Sequence, residues 1–173
     1  GATTLSGSSV SLADTANDFQ DLVTVTAGVT AISDANALKV SLTTGETKLS
    51  ARDSLSVSGV VSGALTASST GAISQFGALK VTGSTALNGA SVVLADTTND
   101  FSGLVTVTAG VTAISDANDL KILLTTGETK LSARDSLSVS GVVSGALAAS
   151  STGAITQFGA LKVTGATALT GAS

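Results

Sequence analysis

Apolar and polar residues alternate in short runs along the whole chain, at 22–26, 29–33, 38–42, 54–58, 64–67, 71–74, 78–82 and 90–94, with Gly, Asp or Asn between them. Period two sends successive side chains to opposite faces, and the β-branched enrichment of these runs marks them as half-buried β-strands. Helical spacing is absent. Each run offers only two or three inward apolar side chains, too few to define a sheet alone. In 38–40 and 79–81 a lysine sits between apolar neighbours, so Lys39 and Lys80 are expected to face solvent.

The runs recur because the chain is a duplication. Residues 10–91 and 92–173 align without a gap at a period of 82, differing at eleven positions such as Ser11/Val93, Ala37/Asp119 and Asn88/Thr170. The first nine residues, GATTLSGSS, match the unit ends GSTALNGAS (83–91) and GATALTGAS (165–173). The organisation expected is the tail of a preceding repeat (1–9), unit 1 (10–91) and unit 2 (92–173), joined in one continuous solenoid and cut from a longer array. With the weaker runs at 47–50, 60–61 and 85–88, a unit holds about eleven or twelve strands, which in threes make about four coils of roughly 20 residues. That is the coil length of a parallel β-helix, and the whole chain becomes a rod on the order of 40 Å long at ~4.8 Å per rung. Two tandem Ig-like β-sandwiches are the alternative, since a unit is also about the size of such a domain. Against it stand the short strands, the lack of a linker around 89–94, and only two Phe per unit to anchor a core.

Composition narrows the chemistry. The chain has no His, Cys, Pro, Met, Trp or Tyr, and Ser, Thr, Ala and Gly make up more than half of it. Disulfides, zinc fingers, thiol or imidazole nucleophiles and His proton shuttles are thereby excluded. Small side chains suit a narrow coil interior, with Gly or Asn expected at corners needing positive φ, and the lack of Pro suits a backbone whose N–H groups are committed to ladders. The net charge of −4 and the scattered basic residues provide no footprint for nucleic acid or anionic membranes, and no apolar run approaches membrane-spanning length. No nucleic-acid partner, membrane insertion, enzymatic activity or cofactor is expected.

Few residues could carry a site. Asp14, Asn17 and Asp18, with Asp96, Asn99 and Asp100 in unit 2, could offer oxygen ligands to Ca²⁺, but the G-G-x-G-x-D nonapeptide is missing and such residues also form tight turns. Asp14, Asp18, Asp96 and Asp100 thus stand only as weak metal candidates beside a turn-forming role. Asp34 and Asn36 (Asp116 and Asn118) read as turn formers, with an Asn ladder possible if coils stack in register. Glu46 with Lys48 and Arg52 with Asp53, repeated as Glu128, Lys130, Arg134 and Asp135, read as exposed ion pairs. The Thr24/Thr26 and Thr106/Thr108 pairs resemble the arrays of ice-binding solenoids but occur once per unit. The four Phe are expected in the core or stacked along the rod.

The runs LADTANDF (12–19), VTVTAG (23–28), SDANAL (33–38) and GAISQFGALKVTG (71–83) resemble the repeats of filamentous-haemagglutinin-like bacterial adhesins, across essentially the whole chain. The resemblance implies a right-handed parallel β-helix serving as a stalk or fibre of a large secreted, cell-surface protein. The near-perfect period and the segments TGETK (44–48) and ARD (51–53) depart from the usual pattern. Expected partners are neighbouring repeats and other copies of the chain stacked end to end. The alternative role is a module whose side face recognises a host glycan or protein.

Overall fold

The segment Leu38–Ala51, LKVSLTTGETKLSA, forms one strand, and its burial explains how the sequence makes a coil. Leu38, Val40, Leu42 and Thr44 point inward, then the alternation slips by one position at Gly45 and Glu46, and Thr47, Leu49 and Ala51 continue the inward row. A slip of one residue exchanges the two faces. Here it marks a corner, so the buried side stays buried while the chain changes direction. Val23–Asp34 makes the same slip after Ala27, at Gly28 and Val29. Gly45 lies so close above Gly28 that a Cβ on it would stand 2.0 Å from the Gly28 carbonyl oxygen. Glycine is required there by contact, not by dihedral angle.

The computed structural model describes residues 1–172. It is all β, with sixteen strands joined in one sheet that winds as a parallel β-solenoid of about 9 turns. Rungs are short where no loop intervenes: Val23 lies under Val40 and Val40 under Val57. Longer rungs place Val10 under Thr30 and Leu65 under Thr85. Between the rungs Val57/Gln75 and Gly59/Leu79 the register shifts and Phe76 to Ala78 bulge outward. Gly59 takes φ of 111°, as does its counterpart Gly141 at 112°, and no other described residue has a positive φ. Left-handed backbone is thus confined to these two glycines; the Gly28 and Gly45 corners keep ordinary backbone, and the Asp34–Asn36 and Asp116–Asn118 corners are held by side-chain hydrogen bonds.

The units do not stack on themselves. Climbing from Thr30, successive rungs reach Thr47, Leu65, Thr85 and Val105. The sequence counterpart of Thr30 is Thr112, seven residues further on. Thr112 stands instead on the column that rises from Leu38 through Leu55, Ile73 and Val92. A unit is thus four coils plus one side of the coil, where the repeat length suggested about four. Equivalent residues move one side around the rod from unit 1 to unit 2.

The core is a continuous axial stack of small aliphatic side chains. Leu38, Leu55, Ile73 and Val92 are each at most 1% exposed, as are Val23, Val40 and Val57. Burying each such side chain is worth roughly 1.5–3 kcal/mol. Two of the four aromatics depart from the expected core role. Phe101 is buried and Phe19 packs partly against the core, but Phe76 and Phe158 are exposed. Nor do the expected ion pairs form: among the described residues the one salt bridge joins the Gly1 amino group to Asp21 at 3.2 Å, and Glu46, Lys48, Arg52 and Asp53 make none.

Candidate functional site

Polar side chains collect at one corner of each unit, in the loop carrying Asp14 to Phe19 and again Asp96 to Phe101. Asp14 Oδ1 accepts the Ala16 backbone N–H at 2.9 Å, and Asp96 Oδ1 accepts the Thr98 N–H at 2.9 Å and its hydroxyl at 2.6 Å. These two bonds hold the Asp96 carboxyl below its usual range, the hydroxyl having the larger effect. Asp18 accepts the Asn36 amide at 3.2 Å and the Gln20 amide, while Asp100 accepts the Ser102 hydroxyl at 3.3 Å. Asp14 and Asp96 thus cap the backbone of their own turns, whereas Asp18 and Asp100 accept side-chain donors, Asp18 from Asn36 of the next coil. Among the described residues no group of three or more carboxylate, imidazole or thiol side chains converges on a point.

The residues that organise this corner lie deeper. Asn99 is fully buried; its amide donates to the Leu94 and Ser115 carbonyls and to Gln75 Oε1, and its Oδ1 accepts the Leu79 N–H at 2.8 Å and the Gln75 amide at 3.0 Å. Leu79 and Gln75 flank the Phe76 bulge, so Asn99 stitches the loop of one coil to the bulge of the coil below. Asn17 donates to Leu12 and Ser33 in the same way. Asp116, 3% exposed, receives the Phe101 N–H at 2.8 Å on one oxygen and the Asn118 N–H at 2.7 Å on the other. Burial raises its pKa; the two N–H groups oppose that rise, and the nearby Asp100 and Asp119 charges add to it. Asp34 and Asn36 repeat the turn, and no Asn ladder forms: Asn36 meets Asp18 below it.

The surface offers one aromatic feature per unit. The Lys39 ammonium lies 4.7 Å from the Phe76 ring centre, and Lys121 sits at 4.7 Å over Phe158. Lys39 faces outward as its alternation requires, stacked under Ser56 and then Ser74, beside the bulge that carries the ring. An exposed cation–π contact of this kind contributes about 0.5–1 kcal/mol. Phe76 and Val93, each 42% exposed, form the apolar floor of a shallow open depression edged by Gln75 and Asp96. Sequence alternation placed Lys39 but could not reveal this pairing, because residues 39 and 76 meet only through two rungs of stacking. The depression brings together an aromatic ring that carries Lys39, an amide paired with Asn99 and a carboxylate bonded to Thr98. Its lining holds no hydroxyl activated by a base.

A family model described as "Repeats of unknown function (DUF5649)" matches residues 27–108 and 126–173. The chain belongs to this repeat family. No curated protein and no solved structure matches it. The first DUF5649 match, from Ala27 to Thr108, spans one 82-residue period and opens at the corner before Gly28. In DUF5649 terms the repeat is thus four coils plus one side, and the buried Asn99 and the Phe76 bulge both fall inside it.

Proposed function

We propose that this chain is a stalk or filament segment of a large secreted, cell-surface bacterial protein, giving length and stiffness in adhesion or matrix assembly. The observation that carries the reading is the unbroken parallel ladder and apolar column running from unit 1 into unit 2, with no side chain of that column suited to chemistry. In a repeat rod each coil is held by its neighbours, so load is shared along the molecule. The resemblance of LADTANDF and GAISQFGALKVTG to filamentous-haemagglutinin-like repeats supports a surface location and a structural, non-enzymatic role. Copies of the chain joining end to end would extend the rod.

A second reading is favoured by the Phe76 depression: recognition of a host glycan or protein through a side face. Glycan arrays and cell-binding assays with the 173-residue chain separate the two. The stalk reading expects no saturable ligand. Saturable binding that disappears in Phe76→Ala/Phe158→Ala would replace it with the side-face module.

A further inference from the structure

The bulge at Phe76 carries more residues than the rung beneath it needs. Gly59 follows Val57 by two positions, while their partners Leu79 and Gln75 are four apart. Unit 2 repeats the excess: Gly141 follows Ser138 by three positions, and their partners Leu161 and Thr156 are five apart. Without the two extra residues the rungs would run on in one register, so the ladder does not require them. Their effect is to carry an aromatic ring out of the sheet, and Phe76 and Phe158 are each 42% exposed.

Opposite charges flank the Phe76 ring on opposite sides. Lys39 rises from two rungs below, in the column Lys39, Ser56, Ser74 and Val93, and brings its ammonium to 4.7 Å from the ring centre. Asp96 belongs to the coil above, three residues beyond Val93, and edges the depression floored by Phe76 and Val93. The lysine column therefore lies before Phe76 along the strand and reaches it from below, while the aspartate lies beyond it and above. Among the described residues neither Lys39 nor Asp96 has an ion-pair partner, and the Thr98 donors take only Oδ1 of the carboxylate.

We propose that this patch is a lateral contact between two copies of the chain lying antiparallel, related by a two-fold axis at the Phe76 bulge. Such an axis reverses both directions across the face. It brings ring against ring and sets Lys39 of each copy on Asp96 of the other, giving two ion pairs around an apolar centre, a self-complementary arrangement. An axis along the rod would instead level lysine with lysine and aspartate with aspartate. The inference deepens the filament reading above and rests on it, joining rods side by side where that reading extends them. One such patch is small, so a single contact is weak. In a longer array the features on one side share one spacing, so two antiparallel rods in register at one feature are in register at all of them, and weak contacts reinforce one another.

Sedimentation equilibrium of the 173-residue chain at concentrations up to about 1 mM reads contacts of this strength. The parent chain is expected to dimerise reversibly, and Phe76→Ser, at a position the core does not use, is expected to weaken the dimer about tenfold or more. Lys39→Glu and Asp96→Lys each set like charges together, so each alone is expected to stay monomeric. An equal mixture of these two variants is expected to pair, because every contact between the different copies then joins opposite charges. A parent chain that stays monomeric would overturn the proposal. So would association undiminished in Phe76→Ser, which would mark joining at the ends, or a mixture no better associated than its components. Phe76→Ser leaves every turn cap in place and decides the matter even where Asp96→Lys unsettles its loop. None of these failures touches the stalk reading, which is decided by ligand binding.

Discussion

At the scale of single residues, the most informative side chains are threonines turned inward at the corners. Thr44 and Thr47 pair their hydroxyls at 2.7 Å, as do Thr126 and Thr129, but Thr30 and Thr112 leave theirs without a partner although both are buried. The cause lies one rung away. The position under Thr44 is Ala27 and that under Thr126 is Ala109, so the hydroxyl that Thr47 and Thr129 find three residues earlier in their corner is missing for Thr30 and Thr112. An orphaned buried hydroxyl costs about 1–3 kcal/mol, which an isosteric apolar side chain avoids. Thr30→Val should therefore stabilise the fold by about 1 kcal/mol, while Thr47→Val, which strands Thr44, should destabilise it by a similar amount. Urea titration of the two variants against the parent gives the signs. Asp116 makes a second prediction. Its raised folded-state pKa means that its contribution is fully present below the usual value of 3.8 and is lost as pH rises through the raised value. Acidification from neutral toward pH 4 should raise the urea midpoint, and Asp116→Asn, though less stable for want of one acceptor, should lack that rise.

At the scale of the element, strands and corners are readable from alternation, because a one-residue slip in an otherwise strict pattern can be satisfied only by turning the chain. The runs 22–26 and 29–33 separate at Gly28 on that principle, and Val23–Asp34 bends there. The Phe76 bulge was not readable. GAISQFGALKVTG keeps near-alternation across it, and the extra residues show only in the pairing with the coil below, where Gly59 follows Val57 by two positions while its partner Leu79 follows Gln75 by four. A Cβ at Gly59 would stand 2.1 Å from the Leu42 carbonyl oxygen, in a backbone with φ of 111°. Gly59→Ala should destabilise the chain by more than about 2 kcal/mol, strain and contact acting together. Chemical denaturation should show a larger loss there than for alanine at Gly77, where the nearest atom is 3.6 Å away.

At the scale of the molecule, a repeat of four coils plus one side turns the rod's surface as it lengthens. The Lys39/Phe76 feature and its counterpart Lys121/Phe158 lie on successive sides; with the three strands per coil expected from the sequence, a given side recovers the same feature after three repeats. In a longer array that interval is thirteen rungs, about 60 Å at ~4.8 Å per rung. Electron microscopy of such an array, gold-labelled at the counterparts of Ser74, should show labels about 60 Å apart along any one side. A spacing near 20 Å would mean that units stack on themselves. In such an array equivalent surfaces come to face every side of the solenoid.

Alternation, small side chains and the 82-residue duplication by themselves pointed to short half-buried β-strands in a repeat array, since period two fixes which side chains are buried, and left tandem β-sandwiches as the alternative to the parallel solenoid that the rung pairing shows. They also fixed the outward direction of Lys39 and the turn roles of Asp14 and Asp96. Only the tertiary structure decided how many coils a unit spans, that Phe76 lies outside under a lysine while Phe101 lies inside, and that Asn99 joins two coils. Those depend on rung register, which is set by the lengths of loops above and below a residue and not by its neighbours in sequence.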